Sequence, residues 1–377
     1  MNASKRLRIG VIFGGRSGEH EVSLASAASV IRALDPEKYE IVPIGITKEG
    51  RWLAGIGAQK MLSEVLKTGE AVTLPADPTA AGLLRLTPGG ERSGMNLDVV
   101  FPVLHGTFGE DGTVQGLLEL AGLPYVGPGV LASAVGMDKD VQKRLFAQAG
   151  LPIVPFLAVQ RSEWERQPKS VLALVRKKFR FPVFVKPATL GSSVGMTRVA
   201  KPGMLAAAID LAAEYAMKIL VERCVTAREI EVAVLGNDDP HASIPGEIIP
   251  HREFYDYAAK YLESGTRLLI PAALTKRQAA TFQDFAVRAF RALDGAGMAR
   301  CDFFLERRTG NIFINEINTI PGFTSISMYP KMWEASGLPY PQLIDRLIEL
   351  ALERHREKAR VKYSIDLPAG AAGALEG

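Results

Sequence analysis

From Leu7 onward the apolar residues come in short runs of strand length, LRIGVIF, EIVPIGIT and DVVFPVL, separated by segments in which they recur every three or four positions. Strand-length runs alternating with helical stretches predict an α/β unit on a largely parallel sheet. The first run stops at two glycines, so MNASKRLRIGVIFGG reads as a first strand and not as a signal peptide. This unit is expected to end near Ser133. Met137 to Gly150 reads as a helix closed by a glycine, after which Leu151-Pro152 opens a new element. A second unit has strands around FPVFVKPA, GMTRVA and KILVERC and the helix MLAAAIDLAAEYA. A third has strands around REIEVAVLG, SIPGEIIP, ARCDFFLE and NIFINEIN. The expected divisions are 1–133, 134–225 and 226–365, with a disordered tail over 366–377, where AGAAGALEG has no periodic pattern.

Two helices in the third unit declare their buried faces. Phe282, Phe285, Ala286, Ala289, Phe290 and Leu293 recur at helical spacing and predict an amphipathic helix covering a sheet. Leu343, Ile344, Leu347, Ile348 and Ala351 give a similar stripe, followed by a charged end, ERHREKAR, expected to be a solvated face.

Composition narrows the partners. With 377 residues, 47% of them hydrophobic and 23% charged, the chain is long enough for two or three globular domains. Forty-five Lys and Arg against 41 Asp and Glu, scattered along the chain, give no basic stripe for nucleic acid and suit small anionic substrates. Two cysteines, Cys224 and Cys301, supply no disulfide framework and no zinc spacing, which points to a reducing, cytoplasmic setting. No apolar stretch approaches the roughly 20 residues that span a bilayer.

The strongest chemical signal is ARCDFFLERRTGNIFINEINTIPGF. Residues two apart on a strand share a face, so Arg300 and Asp302 point one way and Cys301 and Phe303 the other, with Glu316 and Asn318 together on the next strand. A short loop around Arg307 to Asn311 would set Asp302 opposite Glu316 and Arg300 opposite Asn318. Like charges facing across a sheet call for a cation, and oxygen donors without His or Cys indicate Mg²⁺. The ordinary alternative is a solvated surface hairpin.

Three glycine-rich segments add to this. In FVKPATLGSSVGM a strand ends at Lys186 and a small-residue loop follows, where backbone N–H groups can approach phosphate, although no P-loop pattern is present. With Lys139 in VGMDKDVQK, a nucleoside triphosphate is the economical ligand. IGVIFGGRSGEHEVS turns from strand to helix but lacks the dinucleotide glycine order, and its Glu19 suits an ammonium group better than a pyrophosphate. LHGTFGEDG follows a strand at the end where open α/β sheets gather ligands; the role of His105 stays open.

Taken together, GGRSGEHEVS, LHGTFGEDGTVQG, MDK, KPATLGSSVGM, EFYDYAAKY, ARCDFF and NEINTIPGFTSISMYP resemble the D-alanine–D-alanine ligase family, in the family's order, over roughly residues 7 to 350. The resemblance implies an ATP-grasp fold behind an N-terminal Rossmann-like domain, and formation of D-alanyl-D-alanine for peptidoglycan through a D-alanyl phosphate. It implies ATP, two Mg²⁺ ions with Mn²⁺ able to substitute, and a homodimer. By the same resemblance Lys139 and Lys186 hold phosphates, Lys260 reaches the γ-phosphate, Glu222 and Glu229 border the adenosine, and Asp302, Glu316 and Asn318 bind magnesium. Glu19 takes the first D-alanine's ammonium and forms a hydrogen-bonded group with Ser192 and Tyr261. Arg300 and the backbone near Gly322 stabilise the oxyanion, and Ser327 with Met328 receives the second carboxylate. Arg223 and Ala258 depart from the family's usual residues, Arg223 on the adenine side and Ala258 in the segment 253–267, which reads as a lid. A D-alanine–D-lactate ligase, a non-catalytic nucleotide-binding ATP-grasp protein and a nicotinamide dehydrogenase are the competing readings. Tyr261 argues against the first, the intact set Arg300, Asp302, Glu316 and Asn318 against the second, and the glycine order against the third.

Overall fold

The computed structural model describes residues 6–55, 62–86, 94–191, 194–249 and 266–363. The tail over 366–377 and the proposed lid up to residue 265 lie outside them.

The first sheet has seven strands. Leu7–Gly14 is its pivot, pairing in parallel with Tyr39–Ile46 on one side and Val99–Pro102 on the other. The strand alternates between two cores. Ile9, Val11 and Phe13 face the helix His20–Ala33, while Ile12 joins Ile44, Val100 and Leu104 on the opposite face. The parallel part is as expected, but four short strands, Trp52–Ala54, Glu70–Thr73, Gly82–Arg85 and Gly94–Asn96, extend the sheet in antiparallel fashion beyond Tyr39–Ile46. Segments of three or four residues carry too few alternations to show a period in sequence. Gly14 ends the pivot strand at φ +88, and a Cβ there would meet the Ile46 carbonyl oxygen at 2.3 Å, so only glycine makes this turn.

The second sheet is antiparallel, in the order Thr197–Val199, Val183–Pro187, Lys218–Arg223, Phe156–Gln160. Helices Pro168–Lys178 and Leu205–Tyr215 cover its outer face through Val171, Val175, Ala208, Ile209 and Ala212. The third sheet runs Arg267–Leu269, Gly246–Ile249, Ala227–Gly236, Gly297–Glu306, Ile312–Asn318, with His241–Ala242 paired to Ala227–Gly236. The helix Lys276–Ala292 starts in a capping box between Thr275 and Gln278 and buries Phe282, Ala286, Ala289 and Phe290 against this sheet, as the stripe predicts. Phe282 is wholly buried, its ring edge-on to Phe303, and its truncation to alanine is expected to cost roughly 3–5 kcal/mol.

The last helix, Tyr340–Lys358, buries Leu343, Ile344, Leu347, Ile348 and Ala351 in the core shared by the first and third sheets. Its charged end is not all solvated face. Arg354 turns inward, stacks on the Tyr125 ring at 4.4 Å and donates to the carbonyls of Tyr125 and Gly127. An arginine with a long stem and a planar head can be held by an aromatic ring and two carbonyls, a use that helical periodicity does not report.

Candidate active site

A cavity of about 580 Å³ opens between the second and third sheets. Its chemistry starts on two adjacent strands, where Arg300 pairs with Asn318 and Asp302 with Glu316, the register expected from sequence. The ladder then slips: Phe303 pairs with Ile314, leaving Asn315 as an extra residue. This bulge lets Asn315 and Glu316 both line the cavity, where strict alternation would turn one of them away.

Cations already balance this wall. Asp302 accepts from the Arg300 guanidinium at 2.7 and 2.7 Å and from the Asn318 amide at 2.9 Å. Arg300 also lies 3.1 Å from Glu231, a buried carboxylate on the neighbouring strand Ala227–Gly236. Burial works against the Arg300 charge, but Asp302 and Glu231 outweigh it and hold the guanidinium well above its ordinary range. Glu316 lies 3.2 Å from the Lys139 ammonium.

Helix Lys139–Gln148 organises the next layer. Asp138 caps it by accepting the N–H groups of Asp140 and Val141. Positions 139, 142 and 143 then share one face. Lys139 donates to the Leu190 carbonyl at 3.0 Å. The buried Gln142 side chain accepts from Ile317 N–H at 3.0 Å and donates to the Ile317 carbonyl at 3.3 Å, gripping the strand between Glu316 and Asn318. Lys143 lies 3.2 Å from Glu222 Oε1, and the other oxygen of that carboxylate lies 2.9 Å from Lys186. Burial pushes the Glu222 carboxyl up, yet the two lysines win and hold it below the usual carboxylate range. Lys186 also reaches Asn315 at 3.5 Å.

At the far end of the cavity Arg223 lies over the Phe313 ring at 5.3 Å and 3.3 Å from Glu306, with Cys224 and Glu229 lining the wall beside it. Near the first sheet, Glu19 sits beside the cavity and not in its wall. A Cβ on Gly106 would lie 2.9 Å from the Glu19 carboxylate, and one on Gly191 3.1 Å away, so two chain segments approach this side chain closely, and Gly106, at φ +74, is also in the backbone region that favours glycine. His105 is buried, 3.2 Å from the Ile320 carbonyl, 3.1 Å from Ser26 Oγ and 3.6 Å from Glu110. Burial works against the imidazolium, but Glu110 outweighs it and raises His105; burial, helped by Glu19, raises the Glu110 carboxyl in turn. Ser327 caps no helix N–H but accepts from Thr324 N–H at 3.0 Å, directly before helix Met328–Ala335 and beside Gly322.

One cavity therefore brings together Lys139, Lys186, Glu222, Glu229, Arg300, Asp302, Glu316, Gly322, Ser327 and Met328, with Asn318 joined through Asp302. Ser192, Tyr261 and Lys260 lie outside the described residues. Glu231, Gln142, Lys143 and Glu110 are additions that the motifs do not single out. Two of them carry a signal: Glu231 shares a strand face with Glu229, and Lys143 lies one helical turn beyond Lys139.

Similarity to known proteins covers the same span. The family profile described as D-ala D-ala ligase N-terminus matches residues 8–128, and that described as D-ala D-ala ligase C-terminus matches residues 145–349. The chain is 52% identical over 353 residues to the D-alanine–D-alanine ligase of Heliobacterium modesticaldum, covering 93% of this chain and 96% of that one. Against the Geobacillus kaustophilus D-alanine–D-alanine ligase the identity is 48% over 370 residues, covering 95% and 98%. Among solved structures, the D-alanine-D-alanine ligase from Coxiella burnetii superposes with a TM-score of 0.83 at 39% identity, covering 95% of this chain and 97% of that one. The VanG D-Ala:D-Ser ligase from Enterococcus faecalis does so with a TM-score of 0.83 at 37% identity, covering 92% and 100%.

Proposed function

The chain belongs to the D-alanine–D-alanine ligase family, and we propose that it joins two D-alanine molecules into D-alanyl-D-alanine at the expense of ATP, by way of a D-alanyl phosphate. The observation that carries this is the cavity wall on which Asp302 and Glu316 face each other, each held by a cation, with the Lys139 and Lys186 ammonium groups beside them.

A carboxylate is a poor electrophile, so one D-alanine must first be activated as an acyl phosphate, which the amine of the second then attacks. Lys139 and Lys186 hold the nucleotide phosphates in this reading, while Glu222 and Glu229 border the adenosine. Glu19 accepts the ammonium of the first D-alanine. Arg300, oriented by Glu231, and the backbone N–H groups near Gly322 face the oxygen on which charge builds up, a preorganised arrangement that can contribute on the order of 3 kcal/mol per donor. Ser327 and the start of helix Met328–Ala335 receive the second carboxylate. Ser192, Tyr261 and Lys260 complete the group from outside the described residues.

The donor set of Asp302, Glu316 and the amide oxygen of Asn318 is all hard oxygen, which fits Mg²⁺, and Mn²⁺ by substitution. Asn318, hydrogen-bonded to Asp302 through its amide N–H, would bring the third oxygen. Arg300 and Lys139 occupy the carboxylates with the positive charge that a metal would share. Bound there, two magnesium ions would supply charge neutralisation for phosphoryl transfer. A cytoplasmic homodimer completes the proposal. No described helix is long and apolar enough to cross a membrane, and both cysteines are free thiols.

The test is ADP release with D-alanine alone, or with D-alanine plus D-serine, D-lactate or L-alanine. Release that requires D-alanine and yields D-alanyl-D-alanine is expected; a mixed product formed in preference, or ADP release indifferent to D-alanine, would overturn the assignment.

A further inference from the structure

We infer that Lys143, which is outside the cavity wall, is a positioning residue that acts through Glu222 to keep Lys186 available to a polyphosphate; this rests on the nucleotide role proposed above. Lys143 is wholly buried, one helical turn beyond Lys139. Its ammonium is 3.2 Å from Glu222 Oε1, and Lys186 is 2.9 Å from Glu222 Oε2, so one carboxylate spans two cations. All three side chains are withdrawn from water: Lys143 is 0% exposed, Glu222 4% and Lys186 8%.

An ammonium with no access to solvent is costly to hold unless it is well paired, and Lys143 has to share its carboxylate partner with a second lysine. Its near neighbours are Glu222 Oε1 at 3.2 Å and the Phe156 ring at 6.0 Å. Burial accordingly holds it below the usual lysine range, against the pull of Glu222. Such a residue contributes little to stability as an ion pair, and its effect lies in the charge balance. Lys186 and Glu222 alone would form a neutral pair. With Lys143 drawing on the same carboxylate, the group carries one net positive charge, and Lys186, whose other contact is a long 3.5 Å reach to Asn315, is the cation of the group that lines the cavity, beside Glu222. The missing negative charge is one that phosphate would bring. Adenosine, carrying none, would gain nothing from it.

That difference gives the test. Lys143→Met keeps length and removes charge, leaving Glu222 to Lys186 alone; Lys143→Gln keeps a hydrogen-bonding head without charge. Binding of ATP and of adenosine to wild type and both variants is measured by calorimetry with magnesium chloride present and D-alanine absent, alongside KM for ATP, kcat and Tm. ATP affinity is expected to fall roughly ten- to a hundredfold, the size of one nearby charge in a partly polar interior. The affinity for adenosine, which meets Glu222 but brings no charge, should fall far less than that for ATP, and the loss should appear in KM far more than in kcat. Equal weakening of ATP and adenosine, unaltered ATP affinity, or failure of both variants to fold would each overturn the inference in favour of a structural lysine. Wild type that binds no ATP would instead overturn the nucleotide reading itself, and this inference with it.

Discussion

The third sheet and the first contribute to the site in different ways. The third sheet projects chemistry from the faces of its strands: Glu231, Arg300, Asp302 and Glu316 stand on three adjacent strands, fixed by the ladder. The first sheet contributes from the loops beyond its strand ends. Glu19 comes after the turn that ends Leu7–Gly14, and His105 and Glu110 come after Val99–Pro102. Strand-borne groups are held by backbone pairing whatever their charge. Loop-borne groups are held by one another and by glycines that allow close approach, as around Glu19. The division suggests that the rigid wall carries the charge-intensive step and the loops recognise the first amino acid.

The largest expected effect is on the wall. Glu316→Gln should lower turnover on the order of a thousandfold while circular dichroism and Tm stay near wild type, because the fold does not depend on that carboxylate. Near-normal turnover at ordinary magnesium would end the distinction between wall and loops. Glu19→Gln should raise KM for D-alanine roughly ten- to a hundredfold, the worth of a charge-assisted hydrogen bond, with KM for ATP unaltered. A matching rise for ATP would show the two regions to be one unit. Lys186→Ala should raise KM for ATP about tenfold and leave KM for D-alanine alone, which initial-rate kinetics against each substrate can read.

The smallest effect concerns acid. Glu222 has its folded-state pKa depressed, so its contribution to stability is fully present above the unfolded carboxyl value and is lost as pH falls through the folded one. Glu222→Gln should therefore have a lower Tm than wild type at about pH 7 and a shallower decline toward about pH 4. Parallel pH profiles would mean that the two lysines do not depend on its ionisation.

The same contrast explains which parts of the molecule are legible in its sequence. Alternation along ARCDFFLE and NIFINEIN sets the faces and the register of the wall, because a strand's period of two is local. The bulge at Asn315 leaves no such trace, since it depends on how two strands accommodate each other. Glu231 and Lys143 carry local signals in their spacing from Glu229 and Lys139, whereas Glu110, which reaches His105 within its own loop, meets Glu19 only through tertiary packing. Arg354 misleads for the opposite reason: its charge predicts water, and only Tyr125, far away in sequence, supplies the ring that takes it in.

The grip of Gln142 on Ile317 has a consequence of another kind. Ile312–Asn318 is the last strand of its sheet, and such an edge is where a second chain can add itself and start an aggregate. Here the outer side is closed: Ile314 N–H donates to the Pro152 carbonyl, and both backbone groups of Ile317 are taken by a side-chain amide that imitates a further strand. Reactive strands are difficult to protect with charge, since charge is already committed to the other face. A neutral amide from a neighbouring helix seals the border without disturbing it, so damage to Gln142 would be noticed first as protein lost from solution and only afterwards as a slower enzyme.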